Sequence, residues 1–193
     1  YNPSAHLAIV DIVLGVADIL PIRGFGYLVP RNATNNSDEI LGVIFDSDAV
    51  PNQSQRLTKL TVMMGGPYWR HRSSFPNEDD VKERALRALH SQLGLSLLTL
   101  TSHLENIYAR VMTDTIPQYL VGHPQRMAEL KAAIKMHPQW RNRLSLLGYS
   151  YGGVGVNDCI ANAMDTCDAI CNYEQNRSPL SDISGLQPAL FPG

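Results

Sequence analysis

Near its C-terminal end the chain reads LSLLGYSYGGVGVNDCI, Leu144 to Ile160, in which Gly148-Tyr149-Ser150-Tyr151-Gly152 satisfies G-x-S-x-G. That is the spacing of a hydrolase nucleophile elbow, which sets a serine on a sharp turn between a strand and a helix. An acyl-transfer serine also needs a histidine base, and in α/β hydrolases that base follows the serine in the chain. All six histidines, His6, His71, His90, His103, His123 and His137, precede Ser150. Gly152, Gly153 and Gly155 also delay the helix that an elbow would start at once. A second chemistry fits the same residues. A glycine turn feeding a helix delivers bare backbone N–H groups and the positive end of the helix dipole to one point, where an anion or an electron-rich heteroatom is attracted. A tight crossover, with the glycines serving only close packing, is equally compatible with the spacing.

The elements that must position this turn follow from periodicity. Leu7 to Gly15, Ile40 to Ser47 and Leu57 to Gly66 are rich in β-branched residues between turn-rich loops and read as three strands of one sheet. The polar stretch RNATNNSDE between the first two lacks periodicity and reads as a solvent loop without chemistry. A helix is expected from about Glu78 to Leu95: Asn77 caps it, Asp79 and Asp80 suit its positive end, Val81, Leu86, Leu89 and Leu93 form an apolar face, and Gly94 stops it. Asn106 to His123 predicts a strand ending before Pro117. A second helix follows from Pro124 to about Met136, with Met127, Leu130 and Ile134 on one side. Leu144 to Leu147 then reads as a short strand, followed by the glycine turn and a long helix through about Tyr173, where Asn157 and Asp158 are caps rather than catalysts. Pro179, Pro188 and Pro192 mark a loose tail.

The bulk properties bound the partners. With 193 residues, 44% of them hydrophobic and 18% charged, the chain has the composition of an ordinary globular segment. A net charge of −2 and a pI near 6.3 give no electrostatic footprint for nucleic acid. Cys159, Cys167 and Cys171 lie in one late segment without the spacing of a disulfide framework or a metal knuckle. They are expected on a buried small-residue helix face, reduced, in an intracellular compartment. Ala5 to Ile22 is apolar, but Asp11, Gly15, Asp18 and Pro21 interrupt it and it barely reaches the roughly 20 residues a membrane span needs. A buried strand is the expectation. The chain begins with Tyr1, which suggests a piece of a longer protein.

Five motifs in one order, RGFGYLVPR, LGVIFDS, LTVMMGG, IPQYLVGH and GYSYGGVGVNDCI, give the chain a family resemblance. From about Leu7 to about Ala169 it resembles the C-terminal part of oxygen-dependent protoporphyrinogen oxidase, in the flavoprotein group of the monoamine and polyamine oxidases. The resemblance implies an α+β to α/β fragment of a two-domain flavoprotein. Residues 1–140 would be the C-terminal part of a mixed substrate-binding sheet domain with covering helices. Residues 141–175 would be the strand-turn-helix returning to a Rossmann-like FAD domain, and 176–193 a tail. The G-x-G-x-x-G fingerprint that binds the FAD pyrophosphate in such proteins does not occur in this sequence.

Carried over by motif, GGVGVNDC is similar to the family's GVAVNDC turn, so Val154, Gly155 and Val156 are the implied FAD contacts, with Gly155 where the family has alanine. In GFGYLVP, Phe25 and Gly26 would shape the approach to a pocket in which Leu28, Ile44 and Met63 pack against the tetrapyrrole. Pattern alone reads these as plain core. Tyr119 of IPQY is an aromatic candidate near the flavin, and His71 is a surface residue. The implied reaction oxidises protoporphyrinogen IX to protoporphyrin IX with FAD as cofactor, O2 as acceptor and H2O2 released, and it needs no general base from this segment. The family further implies peripheral association with the mitochondrial inner membrane and a homodimer. Beside this stand a non-catalytic truncated form of the same enzyme and a serine hydrolase built on Ser150.

Overall fold

The computed structural model describes residues 2–50, 56–176 and 184–186. It divides into two compact units, one of Ala5–Thr115 and one of Tyr1–Ser4 with Ile116–Gly193. Five strands, β1 (Ser4–Leu14), β2 (Gly26–Leu28), β3 (Ile40–Ile44), β4 (Thr58–Gly65) and β5 (Leu104–Pro117), form a sheet in the order β2-β3-β4-β1-β5. The β1–β4, β2–β3 and β3–β4 ladders are antiparallel, and a bulge between Ile40 and Gly42 shifts the β3 register.

Alternation sorts the sheet into two unlike faces, because side chains reverse sides at each residue. Val10 pairs with Val62, Ile12 with Leu60 and Val62 with Val43, and all five are buried. On the reverse face Ile9 pairs with Met63, Asp11 with Thr61 and Ile44 with Thr61, and all five are half-buried or exposed. Helix α2 (Glu78–Leu93) supplies Val81, Ala85, Ala88, Leu89 and Leu93 to the buried cluster on the first face, with Phe45 and Trp69.

The start and stop of α2 follow the sequence signals. Asn77 accepts the Asp80 N–H and Asp80 accepts the Asn77 N–H, a reciprocal capping box, and Gly94 closes the helix in the left-handed region at φ 71°. Three short elements escaped the periodic reading: α1 (Asp46–Ala49), a 3-10 turn at Gly66–Trp69 and α3 (Leu97–Ser102). Each is shorter than two helical turns, too short for a repeat to show. The loop read as inert is instead an anchor. Glu39 accepts from Trp69 Nε1 at 2.9 Å, from Arg84 Nη1 at 3.0 Å and from Arg72, while Asp38 accepts from Arg87 at 2.8 Å.

In the other unit α4 (His123–Met136) and α5 (Val156–Asn176) are the regular elements. The strand expected at Leu144–Leu147 does not form. A strand requires a ladder of backbone partners, and the segment has one described bond of that kind, from Leu146 N–H to Ser184 O at 2.8 Å. The cysteine expectation is also corrected. Thr166 is buried and Cys159, Asn162 and Ala163 are half-buried on one side of α5, whereas Cys167 and Cys171 fall a third of a turn away and are exposed. Apart from Asn176 and residues 184–186, the expected tail lies outside the described residues. No described helix is long and apolar enough to cross a membrane, and of the stretch expected as strand, Ala5 to Ile22, the part to Leu14 is strand while Gly15 to Ile22 is not.

Candidate functional site

The glycine turn ahead of α5 is gripped from its carbonyl side. Tyr119 Oη donates to Tyr149 O, Asn2 Nδ2 to Ser150 O at 3.2 Å, His123 Nε2 to Tyr151 O at 3.1 Å and Asn162 Nδ2 to Gly152 O at 3.0 Å. Four consecutive carbonyls thus point at side chains. Gly153 N–H donates back to Tyr119 Oη at 2.9 Å, and Gly155 N–H donates to Asp158 Oδ2 at 3.2 Å. Asp158 is therefore a cap, as its sequence position suggested. The N–H groups of Val154, Val156 and Asn157 have no acceptor among the described residues, as first-turn amides of an α-helix commonly do not. Val154 and Val156 are 50% and 76% exposed, so this backbone is open to a ligand.

Glycine is required at 153 and not at 155. Gly153 has φ 135°, and a Cβ on it would sit 2.5 Å from Asp158 Cβ. A Cβ on Gly155 would stand 3.0 Å from Asp158 Oδ2, a contact that a small movement of the carboxylate relieves. An alanine at 155 is therefore a mild change, consistent with the resemblance. Ser150 is exposed and its hydroxyl has no described partner. The one histidine that approaches the turn, His123, spends its Nε2 on the Tyr151 carbonyl and its Nδ1 on Asn2 at 3.4 Å. Among the described residues no histidine is placed as a base for Ser150.

The implied tetrapyrrole residues all lie in the sheet unit, on or beside its half-open face. Leu28 is opposite Gly42, which is opposite Met63, and Gly26 is opposite Ile44. Leu28 and Phe25 are 79% and 71% exposed and Ile44 and Met63 half-buried, so none is core, contrary to what pattern alone suggests. Gly26 has a backbone reason of its own: at φ 143° a Cβ would fall 2.1 Å from Val43 O. One polar row crosses this face beside the apolar one. Thr61 Oγ1 lies 2.8 Å from Asp46 Oδ2 and 2.9 Å from Asp11 Oδ1, and burial, opposed by the Thr61 bond and reinforced by the Asp11 charge, holds the Asp46 carboxyl above its usual range. His71 is exposed.

Sequence reasoning named Tyr119 as a candidate near the flavin, whereas the structure shows it bonded to the turn, and it missed Asn2, His123, Asn162 and the Asp11–Thr61–Asp46 row. Only IPQYLVGH, which places Tyr119 and His123 one helical turn apart around the start of α4, carried a usable signal for the first group.

An antiparallel sheet with one packed and one half-open apolar face, and a glycine turn opening a long helix, are the two parts of a mixed α/β protein. No protein-family model matches the chain. Its sequence is 35% identical over 180 residues to protoporphyrinogen oxidase of Schizosaccharomyces pombe, covering 92% of this chain and 35% of that one. It is 34% identical over 162 residues to protoporphyrinogen oxidase of Bos taurus, covering 81% and 32%. A chloroplastic protoporphyrinogen oxidase of Nicotiana tabacum is 26% identical over 152 residues, covering 79% and 26%. A solved structure from Exiguobacterium sp. 255-15, described as a candidate protoporphyrinogen oxidase, superimposes with a TM-score of 0.67 at 23% identity, covering 88% of this chain and 35% of that one, and bears on the fold. Over most of its length the chain is related in sequence to protoporphyrinogen oxidases, and it spans about a third of the length of these relatives.

Proposed function

We propose that this chain is the C-terminal portion of an FAD-dependent oxidase that converts protoporphyrinogen IX to protoporphyrin IX, with O2 as acceptor and H2O2 released, in porphyrin synthesis. The observation that carries this reading is the α5 N-terminus, open at Val154 and Val156, on a turn whose four carbonyls from Tyr149 to Gly152 are engaged by side chains. Residues there fit a flavin. The N–H groups of Val154 and Val156, with the positive dipole end of α5, would hold the electron-rich edge of the ring, and Gly155, whose own N–H is taken by Asp158, would let the ring come close. The FAD, when bound, supplies the hydride acceptor and passes the electrons on to O2.

The sheet unit has the complementary task. Leu28, Ile44 and Met63, with Phe25 beside them, give a flat apolar surface of the sort a macrocycle requires, and Gly26 lets β2 approach β3 closely enough to hold Leu28 in that row. On this reading the unit of Ala5–Thr115 serves the substrate and the unit of Tyr1–Ser4 with Ile116–Gly193 the flavin, a boundary earlier in the chain than the 140/141 division the resemblance implies. On the same reading the dinucleotide fingerprint that the resemblance implies would lie outside the residues of this chain. A homodimer and peripheral attachment to the mitochondrial inner membrane belong to the same reading. The tobacco relative is named as chloroplastic, so relatedness alone does not choose the organelle.

The absence of the fingerprint from this sequence favours a second reading, a non-catalytic product that binds neither FAD nor porphyrinogen by itself. Purifying the 193-residue chain and its full-length parent and recording flavin absorbance and porphyrin fluorescence tests both. We expect a yellow parent that forms porphyrin and a colourless short chain. A yellow parent without porphyrin formation overturns the substrate assignment, and a yellow short chain overturns the dependence on the longer protein.

A further inference from the structure

We propose that Asn2, Tyr119 and His123 are positioning residues for the flavin: together they turn the carbonyls of Tyr149, Ser150 and Tyr151 away from the α5 N-terminus and so set how strongly that helix end favours the reduced ring. The inference rests on the flavin reading above. Its basis is a hydrogen-bond network with a single consistent solution. The Tyr151 carbonyl can only accept, so His123 must carry its proton on Nε2, and Nδ1 is then an acceptor. Asn2 Nδ2 supplies that acceptor at 3.4 Å and gives its other hydrogen to Ser150 O at 3.2 Å, which fixes the orientation of the amide. Tyr119 donates its one hydroxyl proton to Tyr149 O, so its oxygen is free to accept Gly153 N–H at 2.9 Å. Its ring stacks on His123 with centroids 4.0 Å apart and planes 7° from parallel.

The consequence is electrostatic. A carbonyl oxygen carries partial negative charge, and three loosened carbonyls next to a helix N-terminus would oppose an anionic ring as effectively as the N–H groups attract it. His123 is buried at 6% exposure with both ring nitrogens used, and its position leaves it a task in the turn rather than in chemistry. These groups act through the backbone they hold, and none of the three is a catalytic residue.

The test uses the full-length protein with FAD bound. Tyr119→Phe deletes one oxygen and keeps the stack. His123→Phe keeps the ring and deletes both hydrogen bonds, and His123→Gln returns a donor near Nε2. Three readouts apply: the flavin midpoint potential, the dissociation constants of oxidised and reduced FAD, and amide hydrogen exchange across 149–155 in the FAD-free protein. Tyr119→Phe and His123→Phe are each expected to speed exchange in the turn and to lower the preference for reduced over oxidised FAD by about three- to tenfold. A tenfold loss corresponds to about 30 mV for two electrons, and His123→Gln should recover part of it. If His123→Phe fails to fold, Tyr119→Phe alone decides. A yellow Tyr119→Phe protein with unmoved potential and unmoved exchange overturns the inference while leaving the flavin reading intact. A colourless wild-type parent overturns that reading, and the inference with it.

Discussion

The two units of the chain are stabilised in different ways. Every residue of the main buried cluster lies between Ala8 and Ala109, in the sheet unit, where β-branched and aromatic side chains interlock beneath α2. Among the described residues of the unit of Ile116–Gly193 the buried groups are few and partly polar, Pro117, His123, Ile134, Thr166, Ser184 and Leu186, while Met136, Val156 and Met164 stay more than 60% exposed. Buried apolar area carries the first unit, and directional hydrogen bonds carry the second. A region held by packing tolerates little change of volume. A region held by a few bonds tolerates surface change and responds sharply where one bond or one backbone angle is altered.

The largest effect should come from emptying the packed unit. Trp69→Ala removes a fully buried indole and the Nε1 partner of Glu39, and is expected to destabilise the sheet unit by about 3–5 kcal/mol. Met164→Ala on exposed α5 should stay within about 0.5 kcal/mol in the same chemical-denaturation series. Equal losses would erase the contrast between the units. Next is Gly153→Ala, which forces a side chain onto a backbone at φ 135° against Asp158 and should cost roughly 1–3 kcal/mol of local strain. Its main readout is the fraction of FAD retained by the full-length protein on gel filtration, which should fall while the melting of the sheet unit is unchanged.

Smaller still, Asn77→Ala removes the α2 cap and should lower stability by about 1 kcal/mol, measured by the urea midpoint. The smallest effect expected is pH-linked and lies at Asp46. Its carboxyl is held above the usual range by burial, so as pH rises from about 4 the unfolded chain gives up this proton before the fold does. Folding stability from this group is therefore greatest at low pH and declines until the folded group also ionises. Asp46→Asn should flatten that decline. A stability profile with the same slope in the variant would remove Asp46 as its source.

Legibility followed the length of the local signal. Helix α2 could be read to within two residues because its cap, face and stop all lie within 18 neighbouring positions, Asn77 to Gly94. β1, β4 and β5 were readable from composition, and α1, α3 and the turn at Gly66–Trp69 were not, being too short to show a period. The strand expected at Leu144–Leu147 illustrates the converse, since an apolar run proposes a strand and only a partner makes one. The family-implied substrate residues look like core in sequence, because alternation marks two faces without saying which is covered.

By itself the sequence determined the local elements with strong periodicity, the glycine turn ahead of a long helix, and kinship with protoporphyrinogen oxidases, since these depend on neighbouring residues and ordered motifs. Only the tertiary structure decided that Leu28, Ile44 and Met63 occupy the half-open face, that Cys167 and Cys171 face solvent, and that Asn2 and His123, 121 positions apart, meet beneath the Ser150 turn. Such contacts are long-range hydrogen bonds whose partners become neighbours only once the chain has closed.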